Sequence, residues 1–250
     1  MSNLVTAEYN DNAVAQIYDK NFRTQSVPQI RRFNNWPSQG FLLASLVAGA
    51  TASRTSGVVT VTATAHGITT GTTYVGCRYF YPGSPSLAAG WYDSILTIPD
   101  ANTLTFSAAG ADFGSESVNG GAAYTTATDA ASLVIPGNTL KDQSRVKLAH
   151  LRDGSTPATQ KTVTLVFGGS AAALFNAASS SRGDVSLSFR CLGTNKQVAC
   201  STVNEGNMTS GALTVLTRDI TQDQTLTLRL TVASAQDCLV IPSAHVELTI

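Results

Sequence analysis

From Phe41 to the C-terminus, apolar and polar residues alternate with a period of two. The runs VVTVTA (58–63), TYVGCRYFY (73–81), SILTI (94–98), RVKLAHL (145–151), KTVTLVF (161–167), DVSLSFRCL (184–192), TLTLRLTV (225–232) and AHVELTI (244–250) are β-branched or aromatic. Gly, Asn, Asp or Pro bounds each of them, which is the pattern of strands with one buried face. Phe41 to Ala50 is a largely apolar run of about ten residues, half of the ~20 that a bilayer crossing needs, and reads as a buried strand. Nothing between these runs has a helical period, so parallel crossovers are not expected. The pattern predicts an all-β protein: an antiparallel β-sandwich or jelly roll with a second small β module and an extended N-terminal arm.

The arm is residues 1–40, where Asn, Pro and clustered aromatics replace alternation. Val14, Ile17, Tyr18 and Phe22 fall on one face of a short helix capped by Asn10 or Asn12. Such a helix is marginal alone and needs a partner surface. Pro28 and Pro37 force extended backbone before them, while Ile30, Phe33 and Trp36 supply apolar area. These seven apolar residues are the candidate docking set. They would order against another protein or against the chain's own domain. A composition shift near residue 125 divides the remainder into 41–125, a first strand plus the small β module, and 126–250, the sandwich domain. Because Phe41 to Val47 already reads as a core strand, the module is expected as an insertion near the start of the sandwich.

Charge changes the picture by exclusion. The chain has 16 basic and 16 acidic residues and only 13% charged positions. No net field draws it to nucleic acid or an anionic membrane, and a weakly charged surface favours association into an assembly. The N-terminus carries Glu8 and Asp11 where a secretory signal would be basic and then apolar. Synthesis in a cytoplasm is therefore expected. Cys77, Cys191, Cys200 and Cys238 form no C-x-x-C pair and read as reduced thiols. Cys191 and Cys200 flank a turn and could face each other on paired strands.

Candidate chemistry is sparse. His66, His150 and His245 are dispersed, and no metal site is expected from them. No G-x-S-x-G, H-E-x-x-H or Walker-type loop occurs, and no cofactor signature is present. FGGS (167–170) reads as a tight turn. Arg182-Gly183-Asp184 spells an adhesion tripeptide that would need an exposed loop, and Asn207-Met208-Thr209 marks a surface loop. A glycan hydrolase needs two carboxylates across a groove. Asp93, Asp100, Asp112, Glu116, Asp129, Asp142 and Asp153 are scattered and read as solvated turn residues.

Two stretches carry a family resemblance. GVVTVTATAHGITTGT, with TYVGCRYFY and LTIPDANTLTF, resembles a small β module of phage tail and fibre proteins over about residues 56–108. SLVIPGNTLKDQSRVKLAHL, KTVTLVFGGS and AHVELTI resemble the sandwich domain of phage fibre and virion-surface proteins over about 132–250. The resemblance implies a non-enzymatic virion protein, homotrimeric and made in the bacterial cytoplasm. It would be a head-attached fibre, spike or decoration protein docked by residues 1–40 on capsid, portal, collar or tail proteins. A short tail fibre or adaptor that binds a host surface glycan or protein is the alternative.

Overall fold

The computed structural model describes residues 16–19, 22–26, 30–33, 39–46, 48–119, 127–154, 161–177, 183–200, 202–204, 213–233 and 238–250. Among them the fold is all-β, without a helix. The first strands are β1 (Gln16–Asp19), β2 (Phe22–Ser26), β3 (Ile30–Phe33) and β4 (Phe41–Ala44). Then come β5 (Thr51–Thr55), β6 (Val58–Thr62), β7 (Arg78–Tyr81), β8 (Gly90–Tyr92), β9 (Ile95–Asp100), β10 (Thr103–Ser107) and β11 (Phe113–Ser117). The C-terminal half contains β12 (Thr128–Ile135), β13 (Arg145–Gly154), β14 (Lys161–Phe167), β15 (Ser170–Ala177) and β16 (Gly183–Cys191). It closes with β17 (Gln197–Cys200), β18 (Thr202–Asn204), β19 (Leu213–Leu216), β20 (Gln224–Val232) and β21 (Cys238–Thr249).

These strands form a large sheet of order β19-β17-β16-β13-β21-β4-β7-β8, with β3 also on β21. A sheet β12-β20-β14-β15-β18 packs on one of its faces and a sheet β11-β5-β6-β10-β9 on the other. The strand period explains how one sheet serves two cores. In β4 all four side chains are buried. Phe41 and Leu43 join the core shared with β14 and β20, whereas Leu42 and Ala44 join the core shared with β6 and β10. β7 divides likewise, with Phe80 on the first side and Tyr79 and Tyr81 on the second. The middle of the large sheet is thus apolar on both faces, which is why FLLA shows no alternation.

β21 runs through Pro242, a residue that cannot donate to a ladder. The register shows how it is tolerated. Leu151 pairs with Ser243 but Asp153 with Val240, so β21 carries one extra residue there. This is a β-bulge. Its consequence is visible in the core: Leu239 and Ile241 before the bulge share a core with Ala244, Val246 and Leu248 after it, a change of parity. The strands on the other edge of β21 also divide at Pro242, with β4 pairing residues 238–241 and β3 pairing 246–249. Gly40 sits against this point. A Cβ there would lie 2.7 Å from Cys77 Sγ and 3.0 Å from Pro242 Cα, so only glycine permits the approach.

Three expectations are corrected. The arm helix gives way to strands, because β1 and β2 pair antiparallel, Gln16 with Ser26 and Asp19 with Phe22. Ile17 and Tyr18 are good strand formers. Second, two pairings are parallel, β4 with β7 and β15 with β18. The crossover between β4 and β7 is made by the β5–β6 hairpin instead of a helix. Third, TYVGCRYFY is a strand only from Arg78, since Gly76 turns the chain at φ +88° and β7 joins the large sheet. The FGGS turn is a two-residue hairpin with Gly168 and Gly169 at φ +55° and +83°, as a tight turn of this kind demands.

Candidate binding cleft and the disposition of polar groups

The candidate docking residues fall in two different sheets. Ile17 and Tyr18 lie in β1 and Phe22 in β2, which pair only with each other among the described residues. Ile30 and Phe33 lie in β3 and pair with Thr249 and Val246 of β21. That part of the arm is therefore laid against the chain's own sheet. Val14 and Trp36 lie outside the described residues.

His66 is fully buried after β6. The Ile68 N–H donates to its Nδ1 at 3.1 Å, so Nε2 carries the ring hydrogen and points it at the Thr103 carbonyl, 3.4 Å away. Burial holds its pKa below the usual imidazole value of 6.5. In the unfolded chain the ring takes a proton near 6.5, while the folded ring resists. Between those two values the unfolded state binds more protons, so stability falls as pH falls. Thermal midpoints measured from pH 7.5 down to 5.5 are expected to drop in the natural protein and to change less in His66→Asn, whose amide oxygen can still accept from Ile68. An equal slope in both would remove His66 as the cause.

Of the carboxylates expected as solvated turn residues, Asp100, Glu116, Asp129 and Asp142 accept hydrogen bonds within the chain. Asp129 lies in β12 and holds Arg229 through both oxygens, at 2.5 and 3.1 Å. Asp142 accepts from the Gly193 N–H at 2.7 Å and from the Gln143 N–H at 3.0 Å, joining two loops. Glu116 lies in a strand, β11, where it accepts from the Ser86 hydroxyl and, at 3.0 Å, from the Ser86 N–H. The hydroxyl bond is the first of the causes that lower its pKa. Asp100 and Asp219 each close a turn onto a backbone N–H two residues on. Buried Gln197 is satisfied at both ends by Arg218, accepting from its N–H at 3.0 Å and donating to its carbonyl at 2.9 Å.

Cys191 pairs in register with Gln197, so Cys200 does not stand opposite it. Cys77 and Cys191 are buried free thiols, and Cys238 is buried as well. Gly183 and Asp184 of the adhesion tripeptide are inside β16, hydrogen-bonded to β13, which a loop-presented motif would not be; Arg182 and the 207–209 loop lie outside the described residues. Among the described residues no group of three or more His, Cys, Asp or Glu is placed to hold a metal, and no helix is long and apolar enough to cross a membrane.

An open cleft of about 410 Å³ lies at the free edge of β8, between Trp91-Tyr92-Asp93 and Gly57, Ser107 and Ala109 of the facing sheet. The strand period separates the two rings: Tyr92 packs on the core on the β10 side, and Trp91 on the core of the opposite face. The Trp91 indole meets the rings of Phe41 and Phe80 edge-on at 5.0 and 5.4 Å, and its Nε1–H donates to the Asp129 carbonyl at 2.8 Å. Tyr92 packs on Phe106 at 5.1 Å and donates its hydroxyl to the Ala88 carbonyl at 2.7 Å. Asp93 lies 3.0 Å from Arg78 Nε, whose guanidinium also sits 5.7 Å over the Phe41 ring. The charges balance, and both half-buried rings are held in place. Neither aromatic residue was singled out from the sequence; the Gly-Trp-Tyr-Asp run beside a Pro- and Gly-rich loop is the signal that could have found them.

Comparison with known proteins finds no matching family model and no significant match to a curated protein or a solved structure.

Proposed function

We propose that this chain is a non-enzymatic structural protein of a bacteriophage particle, a homotrimeric head-attached fibre, spike or decoration protein of jelly-roll type, anchored through residues 1–40. The observation that carries this reading is how the polar side chains are used. Asp129, Asp142, Glu116, Asp219, Gln197 and His66 all serve to tie strands and turns together. Three stacked sheets with a low surface charge suit a permanent assembly more than a freely diffusing enzyme. The described part of the arm supports a division of labour. β3 is stapled to β21, while β1 and β2 precede it as a separate hairpin that can contact a neighbouring protein. The specific observation favouring the receptor-binding alternative, a short tail fibre or adaptor, is the open cleft at the β8 edge.

Location decides between the two, and cryo-electron microscopy of the intact particle reads it directly. Sedimentation of the purified protein is expected to give a trimer, and a stable monomer at micromolar concentration would remove the projecting-fibre reading. Deleting residues 1–29, which spares β3, is expected to leave a folded protein that no longer joins the particle. Incorporation at normal occupancy would show that the anchor lies elsewhere.

A further inference from the structure

We propose that the uncovered face of the large sheet between β19 and β13 binds a phosphate or sulfate group through Arg145 and Arg190. This deepens the receptor-binding alternative above by naming a ligand class, but its test does not depend on where the protein sits on a particle. The topology leaves this face open. The β11-β5-β6-β10-β9 sheet shares its core with β4, β7 and the start of β21, and among the described residues that core includes none from β13, β16, β17 or β19. Register then lays one row of side chains across the open part: Val215 opposite Val198, Val198 opposite Arg190, and Arg190 opposite Arg145. Their chain neighbours Leu216, Gln197, Phe189 and Val146 are buried on the sandwich side, so alternation turns the row outward.

Arg145 and Arg190 are both exposed. Like charges directly opposite on paired strands repel. Three other cations have a carboxylate beside them, Arg78 with Asp93, Lys147 with Glu247 and Arg229 with Asp129, but neither Arg145 nor Arg190 has one among the described residues. Arg145 Nη2 donates to the Ser188 hydroxyl at 3.1 Å, which leans it toward the strand that carries Arg190. Two adjacent guanidiniums without a counter-charge select a dianion. Each presents a planar fork of donors that matches a phosphate or sulfate group, and one dianion neutralises both. Ser186 and Ser188 share the open face of β16 with Arg190, so hydroxyls line the approach. The surroundings suit both a free anion and an ester carried on a sugar.

The test is the thermal midpoint of the full chain at pH 7.5 and constant ionic strength, with sodium chloride, inorganic phosphate, sulfate, glucose 6-phosphate and glucose as probes. The three anions with a phosphate or sulfate group are expected to raise it by about 2 °C or more, at concentrations well above a Kd of about 1 mM, and glucose to leave it unchanged. Phosphate and sulfate also stabilise proteins in general, by exclusion from the surface, so the variants decide. In Arg190→Gln and in Arg145→Gln the rise is expected to fall to the part that exclusion supplies. Lys147→Gln removes an equal charge from the same face but not from the pair, and is expected to keep the full rise. A rise that Arg190→Gln leaves unchanged overturns the proposal, as does one that Lys147→Gln lowers to the same extent. With the site established, a larger rise for glucose 6-phosphate than for phosphate assigns it to a sugar ester, and equal rises assign it to the free anion. Failure of the site leaves the particle role standing, since that rests on location and the arm.

Discussion

Replacing Phe106 with alanine is expected to lower the thermal midpoint by about 10 °C, from a loss of roughly 3–5 kcal/mol. Phe106 is fully buried in β10, and its ring is surrounded by three others, Tyr79 and Tyr81 at 5.4 Å each and Tyr92 at 5.1 Å. Those rings belong to β7 and β8 of the large sheet, so Phe106 is the point where the five-stranded sheet is keyed into it. Truncation leaves a cavity lined by aromatic faces on opposite layers, which cannot collapse without moving a whole sheet. Phe106→Leu keeps much of the volume and should cost less. Val134→Ala, at a position 55% exposed, should stay within about 0.5 kcal/mol. A Phe106→Ala shift no larger than that of Val134→Ala would mean that the two sheets are not keyed here.

The parts of this fold that could be read in the sequence are those set by short-range pattern. β6, β9, β14, β16 and β20 coincide with alternating runs to within two residues at each end, and β13 extends its run by three residues at one end, because a half-buried strand writes its two faces directly into the chain. What escaped were features decided by distant partners. The extension of β21 back to Cys238 depends on a bulge at Pro242 that only the register with β13 shows. In the arm, Ile17, Tyr18 and Phe22 fit a helix face by spacing, yet the same residues form a hairpin, since so short a helix has no stability to oppose strand pairing.

The cleft was hidden for a related reason. Asp93 was legible only as a turn carboxylate, and Trp91 and Tyr92 as adjacent aromatics. Their meaning comes from β8 ending its sheet and from contacts to Phe41, Phe106 and Asp129, as far as 50 residues away in sequence for Phe41. Likewise the Asp129–Arg229 pair spans 100 residues and leaves no local trace.

The double-sided sheet makes a prediction about cooperativity. Two separate hydrophobic cores would ordinarily allow two unfolding steps, but here β4, β7 and β21 each bury one face in either core. Loss of one core would expose apolar faces of strands that the other still needs, so the intermediate is costly. Calorimetry is expected to show one transition, with calorimetric and van't Hoff enthalpies in agreement. Leu42 and Leu43 probe this best, since they are chain neighbours, both 0% exposed, on opposite faces of β4. Leu42→Ala weakens the core shared with β6 and β10, and Leu43→Ala the core shared with β14 and β20, each by about 2–5 kcal/mol. Both should move the same single transition downward, and the double variant should lose close to their sum because the two side chains share no partner core. By contrast Leu42→Ala and Val240→Ala, cross-strand partners in one core, should fall short of additivity. Two resolved transitions, one moved only by Leu42→Ala and the other only by Leu43→Ala, would show that the cores melt independently.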